Sequence, residues 1–450
     1  MRVLLVSTYE LGHQPLHLAS PAAALRAAGH EVRMLDLSVE TWDEEALAWA
    51  EAVALSVPMH TAMRLALQVA ESVRRARPEV PVCLYGLYAT VSRDLTLDRL
   101  ADRVIAGEYE PQLVAWVESL SAGAGRGAVV DLGRGSFRVP ERDGLPPLER
   151  YAHLAVGGDQ RPAGYVEASH GCLHRCRHCP VPVIYDGRIR IVAEDVVLAD
   201  VAALVAAGAK HLTFGDPDFL NGPQHSLRVV RAVHERFPEL TFDCTVKVEH
   251  ILRHAHLWPE FAACGCLFVV SAFETVDDEV LARLDKGHTA AEAAAAVDLL
   301  RCHGIEIRPS FLPFTPWTTL SSILDLLDFV AAHDLVGNVD PVQYTIRLLI
   351  PEGSLLLDVP TLTVGPYDPE RLTYAWSSPD PAVDRLQARL ARLVERSQAA
   401  GEALETTYLR VRTAALEAAS GRESLTLVEA GAIPGGSTEG RPRLTEPWFC

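Results

Sequence analysis

From Val3 to Ala106 the chain alternates short apolar runs with helical stretches, and that alternation limits its fold more than any other feature. Val3 to Ser7, Glu31 to Leu37, Ala52 to Val57, Val82 to Tyr85 and Arg103 to Ala106 read as strands, with a helix between each and the next. Ser20 reads as the N-cap of the first helix, Pro21 as its first residue and Gly29 as its end. Five strands in strict β-α order imply a parallel sheet covered on both faces. Residues 1–122 are therefore predicted to form an α/β domain of flavodoxin-like or Rossmann-like type. Ligands of such sheets lie beyond the carboxyl ends of the strands.

A Gly/Ala/Ser-rich break at 119–127 closes this unit, and a linker over 123–160 leads to a second β-α series. Its strands are predicted near 165–169, 211–214, 241–248, 267–271, 306–312 and 341–348, a count that suits a partial (β/α)6 barrel over 161–360. Chemistry in such a barrel is expected at the C-terminal face. Residues 361–420 read as a helical extension, with Leu386, Leu390, Leu393 and Val394 at helical spacing. The last thirty residues, 421–450, are rich in Gly, Pro, Ser and charge and are predicted to be mobile.

A chain of 450 residues exceeds one ordinary core, which agrees with two domains plus appendages. Its net charge of -18 repels phosphate backbones and anionic lipid surfaces, so neither nucleic acid nor a membrane is an expected partner. The start, MRVLLVSTYE, lacks a small-residue cleavage site, and no run approaches the roughly 18 apolar residues of a membrane span. A cytoplasmic location is expected. Of nine cysteines, three fall within eight residues, a pattern of metal ligation in a reducing compartment.

Those three are Cys172, Cys176 and Cys179, in Gly-Cys-Leu-His-Arg-Cys-Arg-His-Cys-Pro, a C-x3-C-x2-C spacing just after a predicted strand. Three thiolates on one tight loop can hold three irons of a [4Fe-4S] cube and leave the fourth iron open. An open iron can chelate the amino and carboxylate groups of S-adenosylmethionine (SAM). Zinc is the alternative, since His170, His174 and His178 lie close by. Structural zinc takes four fixed ligands, usually as two separated pairs, so the spacing favours the cluster.

Residues 165–350 resemble the radical SAM superfamily, and the preceding domain resembles the cobalamin-binding domain found ahead of one branch of it. GEYEPQL at 107–113, LPPLERY at 145–151, EASHGC at 167–172 and LDKGHT at 284–289 carry the likeness. GHQPL, GDPDF and the terminal Cys450 resemble the cysteine-tailed branch around the arsinothricin-forming enzyme, in which the 3-amino-3-carboxypropyl group of SAM is transferred. The resemblance implies that Asp216 and Asp218, ending the second barrel strand, offer acceptors to the SAM ammonium group. It also implies that Ser271 and Glu274 contact its ribose and amino acid.

Other candidates come from period two in the strands. Thr241 to Glu249 alternates polar and apolar residues, so its polar set points into the barrel and brings Lys247 and Glu249 to the C-terminal rim as a mutual pair. The same reasoning takes Arg347 to the rim, where a guanidinium can grip a carboxylate, with Arg308 as a weaker candidate. Thr289 and Glu292 form a capping box, beside Lys286 and His288. In the first domain Glu10-Leu-Gly-His13 lacks the usual D-x-H-x-x-G ligand loop, and His60 is a second weak ligand candidate, so cobalamin stays open.

The expected activity is reductive cleavage of SAM with transfer of a SAM-derived carbon group, methyl or 3-amino-3-carboxypropyl, to a small molecule. Lys247, Arg347 and Cys450 are the catalytic candidates, and an electron donor such as flavodoxin or ferredoxin is the expected partner. An iron-sulfur or corrinoid sensor without catalysis is the alternative.

Overall fold

A computed structural model describes residues 1–123, 127–421 and 440–445. The first domain is a parallel sheet of β1 (Arg2–Ser7), β2 (Glu31–Asp36), β3 (Ala52–Ser56), β4 (Val82–Tyr85), β5 (Arg103–Gly107) and β6 (Gly127–Asp131), in the order β2-β1-β3-β4-β5-β6. The sequence predicts five strands. The sixth falls in the stretch read as linker and pairs with β5 from Arg103 opposite Gly127 to Gly107 opposite Asp131. Two apolar clusters, one on each face of the sheet, form its core.

The first helix runs Leu16–Ala27, so it begins ahead of Ser20 and carries Pro21 inside it. Proline has no N–H for the carbonyl four residues back. The carbonyl left over, that of His17, accepts instead from the buried Tyr85 hydroxyl at 2.7 Å.

The second domain is a curled sheet in the order β14-β13-β12-β11-β8-β7-β17. Its members are β7 (His153–Val156), β8 (Asp159–Val166), β11 (His211–Phe214), β12 (Thr241–Thr245), β13 (Cys266–Glu274), β14 (Glu306–Phe311) and β17 (Arg443–Leu444). β8 and β11 to β14 are parallel; β7 and β17 run antiparallel at the edge. Two short strands, β9 (Ser169–Gly171) and β10 (Ile189–Ile191), form a separate ribbon. The pair β15 (Tyr367–Asp368) and β16 (Thr373–Tyr374) lies beyond the barrel.

Two predicted strands are corrected. The one at 241–248 ends at Thr245, and Lys247 is instead the N-cap of a helix, Val248–Arg253. The one at 341–348 is a 3-10 turn at Pro341–Tyr344, and of a sixth strand only a parallel bridge from Arg347 to Phe314 remains. Helices Pro381–Ala399 and Leu404–Ser420 add Val383, Leu386, Leu390, Tyr408 and Val411 to the barrel core, so the extension covers the side left short of a strand.

Part of the predicted mobile tail is ordered: β17 pairs with β7, and Arg441 bonds Asp334 at 2.6 Å. The rest of that tail, Cys450 included, lies outside the described residues. No helix among the described residues is long and apolar enough to cross a membrane.

Candidate active site

The loop bearing the three cysteines is clamped at its base. β9 and β10 pair antiparallel with Gly171 opposite Ile189, so the chain leaves the ribbon at Cys172 and returns to it after Arg188. Gly171 has φ +76°, and a Cβ there would lie 2.4 Å from the Arg188 carbonyl oxygen and 2.6 Å from the Tyr185 ring. Only glycine fits. Inside the loop the Cys179 N–H donates to the Cys176 carbonyl at 3.1 Å. Arg177 ties the loop to the barrel, its N–H to the Leu284 carbonyl and its guanidinium to the Arg283 carbonyl, both at 2.9 Å.

All three cysteines are free. Burial raises the thiol of Cys172 and pushes that of Cys179 up to about 12. Asn221 closes one side: its Oδ1 accepts from the Leu173 N–H at 3.2 Å, and its Nδ2 is buried without a partner among the described residues.

The histidines around the loop are engaged elsewhere, which counts against zinc. His170 holds two carboxylates, Glu108 at 3.1 Å through Nδ1 and Glu167 at 3.2 Å through Nε2. Burial alone would lower its pKa, but these two partners hold it well above the usual histidine value. Both nitrogens therefore carry protons. An ammonium only donates, so Lys247, 3.1 Å from Nδ1 of His174, leaves the proton of a neutral ring on Nε2, facing Asp218 at 3.5 Å. His250 approaches the same Asp218 oxygen at 2.8 Å. His174, Asp218 and His250 are close enough to gather a metal ion, but in that arrangement His174 has no lone pair to give.

The structure distributes the other candidates unevenly. Asp216 is buried and accepts from the Ala168 N–H at 3.0 Å and the Ser169 hydroxyl at 2.5 Å, bracing the strand that enters the loop. Burial pushes its pKa up to about 7. Asp218 accepts from the Leu220 N–H at 3.0 Å. Burial would raise its pKa, yet His174 and His250 hold it below the usual carboxylate range. Lys247 and Glu249 pair at 3.3 Å, as expected.

Ser271 is fully buried with its hydroxyl unpartnered among the described residues. Glu274 takes Lys286 at 3.1 Å and His178 at 3.0 Å. Arg308 bonds Asp340 at 2.9 Å. Arg347 is the clearest departure from its expected place. Its guanidinium bonds Asp384 and the Trp376 carbonyl, each at 2.7 Å, and lies 3.5 Å from the Trp376 ring, so it is spent on the C-terminal extension.

The first domain presents the carboxyl ends of its strands to this loop. Glu108, just past β5, takes His170 and also the Tyr185 hydroxyl at 3.0 Å. Beside them lies a cavity of about 190 Å3 walled by Pro58, Met59, Leu87 and Gly107 on one side and Gly171 and Gly215 on the other. A second cavity of about 610 Å3 opens between the helices Leu16–Ala27 and Tyr109–Ser119. Among the described residues no histidine stands free over the first. His17 bonds the Tyr109 hydroxyl at 2.7 Å, His60 meets the Arg371 carbonyl at 2.8 Å, and His13 packs on Tyr165. Burial lowers His13 to about 4.

Two family models match the chain: the B12 binding domain over residues 2–117, and the radical SAM superfamily over residues 166–330. Residues 166–330 belong to the radical SAM superfamily. Its first domain is a B12-binding domain, and its cofactors are a [4Fe-4S] cluster, SAM and cobalamin. Cobalamin, left open by the sequence, is thereby decided.

This radical SAM chain is 23% identical over 334 residues to the hopanoid C-3 methylase of Methylococcus capsulatus, covering 68% of its own length and 62% of the methylase. It is 26% identical over 207 residues to the ribosomal protein uS12 methylthiotransferase of Bdellovibrio bacteriovorus, covering 42% of itself and 45% of that enzyme. It thus spans less than two thirds of these curated relatives. Among solved structures, the cobalamin-dependent SAM radical enzyme OxsB with aqua-cobalamin bound aligns with TM-score 0.69 at 15% identity, over 88% of this chain and 67% of that one. The radical SAM methyltransferase TsrM from Kitasatospora setae aligns with TM-score 0.56 at 20% identity, over 74% of this chain and 70% of that one. These two show a shared fold.

The residues present fit the cofactors. Three free cysteines on a clamped loop suit the cluster. The unpartnered Asn221 amide and His178 Nδ1 on residues at the loop, with the Ser271 hydroxyl, suit a polar ligand such as SAM. The wall around the smaller cavity suits a corrin: mostly apolar and at strand carboxyl ends. Pockets for drug-sized ligands run to about 300–1,000 Å3, so a corrin needs more than the 190 Å3 of the smaller cavity. The sequence missed the contact of Glu108 with His170, and it missed the pairing of Asp218 with two histidines. The only signal was the recurrence of histidine at 170, 174 and 178.

Proposed function

We propose that the chain is a cobalamin-dependent radical SAM methyltransferase that moves the methyl group of SAM to a small molecule. The observation that carries this reading is the contact of Glu108 with His170, which sets the carboxyl edge of the B12-binding sheet two residues from Cys172. The relation to the hopanoid C-3 methylase supports methyl as the group moved.

In this reading Cys172, Cys176 and Cys179 hold the cluster and leave one iron to SAM. Asn221, His178 and Ser271 offer the unpartnered polar atoms that would hold its amino acid and ribose. Asp216 braces the strand entering the loop, and the Glu108, His170 and Glu167 group orients the two domains. Bound cobalamin supplies a cobalt centre able to carry a methyl group toward an unactivated acceptor. Lys247, paired with Glu249 at 3.3 Å and set against His174, is placed to hold an anionic part of SAM or substrate. A one-electron donor is the required protein partner. Aminocarboxypropyl transfer leans on Cys450, and no observation on the described residues favours it.

Anaerobic protein given iron, sulfide, cobalamin, SAM and a chemical reductant tests the proposal. S-adenosylhomocysteine with 5'-deoxyadenosine is the expected product pair. Methylthioadenosine in their place would mean aminocarboxypropyl transfer, and intact SAM would mean a sensor.

A further inference from the structure

Lys286 is a buried ammonium with no part in that scheme. It is 4% exposed, between the helices Asp278–Leu284 and Ala290–Arg301, and its Nζ lies 3.1 Å from Oε1 of Glu274. The same oxygen lies 3.0 Å from Nε2 of His178, the neighbour of Cys179 in sequence. Glu274 itself sits at φ +63°, a left-handed conformation that costs a glutamate free energy. Burying an ammonium is costly as well. Both costs fall at one place, and that place adjoins the cysteine loop: Arg177, between Cys176 and Cys179, bonds the Leu284 and Arg283 carbonyls just ahead of Lys286, each at 2.9 Å, and Lys286 interacts electrostatically with both cysteines.

A fold brace needs no such aim. Charges interact strongly where water is excluded, and cluster potentials respond to the net charge around the sulfurs. We propose that Lys286, held by Glu274 and His178, sets the reduction potential of the [4Fe-4S] cluster by fixing a positive charge against its Cys176 and Cys179 edge. Reduction adds one electron and hence one negative charge to the cluster, so the ammonium stabilises the reduced form and raises the potential. Lys286 acts through the cluster and is a positioning residue. The inference rests on ligation by the three cysteines.

The test is an EPR-monitored redox titration of anaerobically reconstituted full-length protein, with iron and sulfide counted in every sample. Lys286→Met should keep its cluster and shift to a more negative midpoint. At a fixed poise its ratio of reduced to oxidised cluster should fall about tenfold, which is about 59 mV for a one-electron couple. Lys286→Arg should titrate with the wild type, and Glu274→Gln should shift the other way. A Lys286→Met protein with a full cluster and the wild-type midpoint overturns the inference. If Lys286→Met loses its cluster, an unshifted Glu274→Gln overturns it instead. A wild-type protein that takes up no cluster would count against the cysteine assignment and not against Lys286.

Discussion

Gly171 shows how one backbone position governs the cluster loop. Alanine there would place a methyl carbon 2.4 Å from the Arg188 carbonyl, against backbone that cannot yield cheaply. Gly171→Ala should therefore leave the helical content unchanged by circular dichroism while iron bound per chain falls by roughly half or more. Asp216 adds a pH signature. Its folded pKa near 7 exceeds the unfolded value near 3.8, so the folded state holds a proton that the unfolded state has lost. Its contribution to stability is present below about pH 4 and declines as pH rises to about 7. Asp216→Asn should flatten that part of the stability-pH curve, measured by urea midpoints. The cysteines were legible because ligand spacing is local. The partners that Asp218 and Arg347 take, His250 and Asp384, were not legible because they lie 32 and 37 residues away.

At the scale of elements, alternation in the sequence located both sheets but not their ends. Period two ran through Lys247 and Glu249, yet β12 ends at Thr245, opposite Val270, while β13 runs on to Glu274, and the chain turns into helix at Val248. Pro341, which has no N–H to donate to a ladder, begins a 3-10 turn where a sixth strand was expected. The sixth strand of the first domain was hidden by the glycine-rich composition just before it. The interface between the domains carries its own prediction. If a corrin enters only when Glu108 and His170 part, Glu108→Ala should take up cobalamin several-fold faster than wild type, followed by absorbance. An unchanged rate would place the corrin elsewhere.

On the scale of the whole molecule the C-terminal extension joins what the sequence divided into separate units. Leu372 enters the core of the first domain, the Arg371 carbonyl bonds His60, and Tyr408 donates to the Leu327 carbonyl of the barrel at 2.8 Å. Arg347 is a pin of this assembly. Arg347→Met removes charged hydrogen bonds worth about 1–3 kcal/mol, discounted because the pair is partly exposed. The thermal midpoint should fall while SAM affinity stays at the wild-type value; a loss of SAM binding with an unchanged midpoint would return Arg347 to the active site.

Iron content and the EPR spectrum of the reduced cluster, read with and without SAM in wild type and in Cys172→Ala, Cys176→Ala and Cys179→Ala, form the most direct test of the central claim. Wild type should hold one [4Fe-4S] cluster whose spectrum changes when SAM is added, and each variant should lose it. A full cluster in any variant, or a wild-type spectrum indifferent to SAM, would contradict the assignment.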